Sequence, residues 1–162
     1  MSPNTIAVSA HGHVAVLRIP ATGQQALYAL RSYDADDVIQ SFTAGSVHEA
    51  PTSLTVQRGE KENLTLQPSL LQYCNHSCHP NCFFDTDAMA FVAIAPVQAG
   101  DELTCFYPAS EWKMSQGFDC CCGAAGCLRK IEGAYCLPET LLAQYRLTAF
   151  IRKQVQARRR NL

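Results

Sequence analysis

Apolar and polar positions along this chain change places in short runs, and the runs are rich in β-branched residues. The first run, Ile6, Val8, Val14, Val16 and Ile19, is interrupted by Gly12 and ended by Pro20. That pattern predicts two short strands with a turn near His11-Gly12, and His11 and His13 read as exposed turn residues rather than ligands. The apolar cadence of Ala26 to Leu30 predicts a strand running into Ala29, a turn over Asp34 to Asp37 and another strand from Val38. Residues 44–63 are polar and turn-rich, with one alternating stretch at Leu54-Thr55-Val56-Gln57. A strand and a short helical turn after Pro68 follow between Leu64 and Leu71. Phe83-Phe84 and Phe91 to Ile94 predict a hairpin across Asp85-Thr86-Asp87, whose acids read as turn residues. Gln98 to Asp101 is a further turn, feeding a strand over Glu102 to Tyr107.

Only after Pro138 does the period become helical. Pro in the first turn, Glu139 near the positive end, and an apolar face of Leu141, Leu142, Tyr145, Phe150, Ile151 and Val155 predict one helix over 137–160. Its basic end, Arg152-Lys153 and Arg158-Arg159-Arg160, reads as a solvated terminus favoured by the macrodipole rather than a nucleic-acid patch. The fold class expected is mainly β.

Composition narrows this picture. At 162 residues the chain suits one domain, and 48% apolar against 17% charged residues is a globular balance. A net charge of −1 gives no global attraction to nucleic acid. No apolar run approaches the ~18 residues of a membrane span, and Met1 to Ile6 lacks the basic start and apolar core of a secretory signal. The expected location is the cytosol or nucleus, with no membrane partner. Nine cysteines, an odd number without an export signal, do not suit a secreted disulfide framework.

Three of those cysteines have the spacing Cys120-x-Cys122-x4-Cys127, which can close around one Zn²⁺ if a fourth ligand is supplied. Cys78, in a Pro-containing turn about forty residues upstream, is the candidate, with Cys82 as the substitute. A metal there would tie the C-terminal segment to the middle of the chain. Of Cys74, Cys82, Cys105, Cys121 and Cys136, most then read as buried thiols acting as small hydrophobes.

Asn75-His76-Ser77-Cys78-His79-Pro80-Asn81, then Glu102-Leu103-Thr104-Cys105-Phe106-Tyr107, then the cysteine cluster, occur in the order of the NHSCxPN, ELxxxY and post-SET CxCx4C motifs. The chain resembles the SET-domain family of protein lysine methyltransferases over roughly residues 5 to 133. The resemblance implies a SET fold of small sheets with a C-terminal pseudoknot, in which the ELxxxY strand threads under the signature loop. It implies a SET domain over 5–117, a zinc-bound post-SET segment over 118–133, and the basic-ended helix at 137–160. It also implies S-adenosyl-L-methionine as cofactor and a protein lysine, on a histone or another protein, as substrate.

By the same resemblance Tyr107 is catalytic, its hydroxyl orienting the amine. Asn75 would contact the cofactor through its side chain and His76 mainly through backbone bonds, in a pocket completed by Gly23, Gln24, Gln25, Ala26 and Leu27. The metal ligands implied are Cys78, Cys120, Cys122 and Cys127. The family's opening carries Gly-x-Gly; aligned through Tyr28-Ala29, those glycines fall on Gln24 and Ala26. Side chains there would crowd the close backbone approach that glycine permits. The alternative expectation is therefore a SET scaffold repurposed for small-molecule chemistry, or an inactive binding module.

Overall fold

The computed structural model describes residues 5–160. Thirteen strands run in the order β1 (Ile6–His11), β2 (Val14–Arg18), β3 (Gln25–Ala29), β4 (Val38–Ser41), β5 (Thr43–His48), β6 (Val56–Gly59), β7 (Glu62–Gln67), β8 (Asn75–His76), β9 (Cys82–Asp85), β10 (Ala90–Ala93), β11 (Thr104–Cys105), β12 (Phe118–Asp119) and β13 (Lys130–Ile131). Two helices close the chain, α1 (Glu139–Leu142) and α2 (Ala149–Arg160). The strands form four small sheets, ordered β1-β2-β3, β4-β10-β9-β11-β8, β5-β7-β6 and β12-β13.

The β1–β2 hairpin turns at Gly12, whose φ of 58° suits a residue without a Cβ. β2 lies at the centre of its sheet and is buried from Val14 to Leu17. The five-stranded sheet is covered on both faces. Cys82, Phe84, Phe91 and Ala93 join the main core, while Phe83, Ala90 and Val92 pack toward α1 and α2. Two covered faces explain why β9 and β10 read as continuous apolar runs.

Three expectations need correction. Residues 43–48 form a strand, although the sequence there is polar. All six are exposed, because β5 is an edge strand held by β7 and contributes little to the core. The strand expected over 102–107 shrinks to Thr104–Cys105, and Tyr107 begins a 3-10 turn, Tyr107–Ala109. The single helix expected over 137–160 is broken between Leu142 and Ala149. Thr148 restarts it: its side-chain oxygen accepts from the Ile151 N–H at 3.3 Å and its carbonyl from the Arg152 N–H at 3.0 Å, an N-cap arrangement. The break frees Tyr145 to stack on Phe106, with ring centroids 3.8 Å apart and nearly parallel, and to donate its hydroxyl hydrogen to the Cys78 carbonyl at 2.9 Å.

The basic end of α2 is also more engaged than a solvated terminus. Arg158 donates to the carbonyls of Tyr135 and Leu137, and Arg159 pairs with Glu139. No helix among the described residues is long and apolar enough to cross a membrane.

Candidate active site

β11 lies between β8 and β9 and runs parallel to both, pairing Thr104 with Asn75, and Cys105 with His76 on one side and Cys82 on the other. The loop joining β8 to β9 carries the rest of the signature, so the chain threads beneath that loop. Parallel pairs this short have few ladder bonds, and side chains supply the remainder. Asn81 accepts from the Thr104 N–H at 2.9 Å and donates to the Glu102 carbonyl at 2.9 Å. The Ser77 N–H donates to the Cys105 carbonyl at 2.9 Å.

This threading delivers Tyr107. Its hydroxyl donates to the Cys74 carbonyl at 2.8 Å, and its N–H donates to His76 Nδ1 at 3.2 Å. Burial, with Cys74, Cys105 and two glutamates nearby, pushes the phenol pKa up, so it remains a proton-bearing donor. His76 is held neutral, its pKa pushed down to about 4 by burial. Since Nδ1 accepts, the ring hydrogen sits on Nε2, which lies 3.3 Å from Cys78 Sγ. One imidazole thus connects the Tyr107 backbone to the cysteine cluster.

Cys78, Cys120, Cys122 and Cys127 have sulfurs all within 4.8 Å of one another. A tetrahedral ion with metal–sulfur bonds of about 2.3 Å sets its sulfurs roughly 3.8 Å apart, so the set fits with small side-chain shifts. Backbone donors already point at two of the sulfurs. The Leu128 N–H reaches Cys78 Sγ at 3.4 Å and the Cys78 N–H reaches Cys122 Sγ at 3.5 Å. The latter bond pulls the Cys122 thiol down to about 6, toward the thiolate a metal requires. Cys121 is exposed and outside the set. Cys82, the substitute ligand considered above, is buried in the main core. Cys74 and Cys105 are likewise buried, their sulfurs 3.3 Å apart, whereas Cys136 is exposed.

Two cavities flank the Cys74–Asn75 peptide. A cleft of about 260 Å³ is lined by Gln24, Gln25, Ala26, Tyr28, Asn75 and Glu102, among others. Asn75 Nδ2 donates to the Gln25 carbonyl at 3.2 Å and to Glu102 Oε1 at 3.0 Å. Gln25 Oε1 is buried without a hydrogen-bond partner, an open acceptor of the kind an amino group of a cofactor satisfies. The structure separates the expected loop residues. Leu27 is fully buried in the core, because β3 alternates and its side chain points inward. Gly23, with φ of 72°, closes a turn on the Ile19 carbonyl, and a Cβ there would meet nothing within 4 Å. It is a turn glycine and no replacement for a missing cradle glycine.

The second cavity, about 580 Å³, contains Tyr107 and Cys74 with apolar walls that include Leu54, Leu71, Met114 and Phe118. Glu111 also lines it, a residue that no motif in the sequence singles out. Its N–H bonds to the Tyr107 carbonyl at 2.9 Å, one turn along the chain. Tyr145 is a second residue the sequence hid, since its role depends on the helix break. Asn81 was legible as the last residue of the signature, though not its part in holding β11.

The sequence profile described as SET domain matches residues 28–108, which run from the end of β3 into the Tyr107 turn. The chain belongs to the SET-domain family. It is 40% identical over 103 residues to "Methyltransferase flvH" of Aspergillus flavus, an alignment covering 62% of this chain and 57% of that protein. Proteins named "Histone-lysine N-methyltransferase, H3 lysine-36 specific" are 34% identical over 89 residues in Aspergillus fumigatus and 33% over 86 residues in Schizosaccharomyces pombe. Each of these two alignments covers 49% of this SET-domain chain, and 9% and 11% of the respective proteins. The chain therefore spans little more than half of one relative and about a tenth of the others.

Proposed function

We propose that this chain is an S-adenosylmethionine-dependent methyltransferase that acts on a protein lysine side chain. One observation carries the reading: consecutive residues, Cys74 and Asn75, line two different cavities, and the Tyr107 hydroxyl is anchored to the first of them. A cofactor and an acceptor can thus approach one peptide from two sides, as in-line displacement requires. S-adenosylmethionine would supply there a methyl group on a sulfonium, open to attack by a neutral amine.

The chain's own residues do the rest. Gln24, Gln25, Ala26 and Asn75 offer the binding surface of the cleft. A free lysine, with pKa of ~10.4, is protonated at neutral pH, and desolvation between apolar walls favours its neutral form. The Tyr107 hydroxyl orients the amine lone pair, while its ring is held edge-on against His76 and Phe118. Cys78, Cys120, Cys122 and Cys127 would hold one Zn²⁺ in a closed structural site, fixing the 118–133 segment beside Tyr107. Reduced thiols suit the cytosol or nucleus.

A second reading, a small-molecule amine as acceptor, is favoured by the size of the Tyr107 cavity, which falls within the range of small-ligand sites. Titration of the purified chain with S-adenosylmethionine, then methyl incorporation into lysine-rich proteins and into small amines, tests both. Tyr107→Phe should lower turnover by at least ~10²-fold with cofactor affinity unchanged. Absence of cofactor binding in the wild-type chain overturns the methyltransferase reading. Wild-type turnover in Tyr107→Phe removes Tyr107 from the chemistry, and methylation of small amines alone selects the second reading.

A further inference from the structure

Glu111 is 7% exposed and lines the Tyr107 cavity. One carboxyl oxygen accepts from the Gln57 N–H at 2.9 Å, and Gln57 returns its own side-chain oxygen to the Trp112 N–H at 2.9 Å. The other oxygen takes no hydrogen bond from the described residues. No lysine, arginine or histidine lines the cavity, and the other ionisable groups on its wall are Cys74 and Tyr107. Glu111 is in none of the ion pairs formed by the described residues. A buried carboxyl is ordinarily paired with a cation or solvated. Here it has one backbone donor and an opening.

We propose that Glu111 is the specificity-determining residue for the acceptor, receiving the positively charged head of an alkylamine that enters the Tyr107 cavity. This rests on the methyltransferase reading and extends it. Leu54, Leu71, Met114 and Phe118 accommodate an alkyl stem, and a single carboxylate at the wall selects an ammonium over an alcohol or a carboxylic acid. The selection applies equally to a lysine side chain and to a small-molecule amine, because both present the same head on the same kind of stem. Glu111 binds the cation on entry; one N–H proton then leaves to solvent through the cavity mouth, and Tyr107 orients the neutral amine that remains.

The test uses n-butylammonium, with n-butanol as the uncharged probe, on the full chain without cofactor, so that its failure is independent of any failure to bind S-adenosylmethionine. NMR titration follows the Gln57 amide, which touches the carboxyl directly. It is run at about pH 8, where burial leaves Glu111 half ionised. Glu111→Gln keeps the acceptor for Gln57 and removes the charge. The expected result is butylammonium binding weakened roughly tenfold or more in that variant, with butanol binding unaltered. In the wild-type chain, saturating butylammonium should also lower the titration midpoint of the Glu111 carboxyl resonance, a readout that needs no variant. Equal butylammonium affinity in the two proteins, an unmoved Glu111 midpoint, or no response of Gln57 to butylammonium in the wild type overturns the proposal.

Discussion

Glu111→Gln should change how stability depends on pH, and the size of that change follows from burial. The wild-type carboxyl is pushed from 4.5 up to about 8, first by desolvation, with the Gln57 N–H opposing. A carboxyl whose folded pKa lies above its unfolded value holds its proton more tightly in the folded chain. Its contribution to stability is therefore complete below the unfolded value of 4.5 and is lost as pH rises through about 8. At ~1.4 kcal/mol for each tenfold change in proton affinity, the loss is about 5 kcal/mol, comparable to the entire stability of a modest domain. Glutamine has no proton to lose. The stability of the variant minus that of the wild type should therefore grow by about 4 kcal/mol between about pH 5 and about pH 9, whatever constant offset the amide introduces, the remainder of the full loss falling outside that window. Every other titrating group is present in both chains and cancels, apart from Tyr107, which is coupled to Glu111. Urea unfolding at a series of pH values measures the difference directly. A difference that stays flat across that range would show that Glu111 is not desolvated in the folded chain and does not face the Tyr107 cavity as a buried carboxyl.

Two further outcomes follow from the metal cluster and the cleft. Cys127→Ser should reduce bound zinc from one ion per chain, as read by elemental analysis, and raise hydrogen exchange after Phe118 while the five-stranded sheet keeps its protection; unchanged zinc content would remove Cys127 from the ligand set. Gln24→Gly with Ala26→Gly should raise affinity for S-adenosylmethionine, measured by calorimetry, at a stability cost of roughly 1 kcal/mol for each glycine placed in an extended segment. Unchanged or lower affinity means that the side chains at these positions do not crowd the cofactor.

The family and much of the fold were legible because their determinants are local. Gly12 sets a turn through its own φ, and the apolar runs at Phe83-Phe84 and Phe91 to Ala93 report a sheet covered on both faces. The Cys120-x-Cys122-x4-Cys127 spacing constrains a short backbone segment that can wrap an ion wherever it sits. The signature and the Glu102 to Tyr107 segment are contiguous, so they could be recognised without knowing that β11 lies between β8 and β9. Tertiary structure decided the rest, because those features depend on partners distant in sequence. β5 is a strand only because β7 offers it an edge, and no apolar alternation marks it. The helix breaks before Thr148 because Tyr145 gains Phe106 and the Cys78 carbonyl, contacts that helical periodicity cannot register. Leu27 and Ala26 are neighbours in one loop motif, yet alternation along β3 sends one into the core and leaves the other on the cleft. Glu111 in the sequence is an ordinary acid between Ser110 and Trp112; its burial, its missing cation and its place beside Tyr107 exist only once β6, the Tyr107 turn and the segment from Met114 to Phe118 enclose a common cavity.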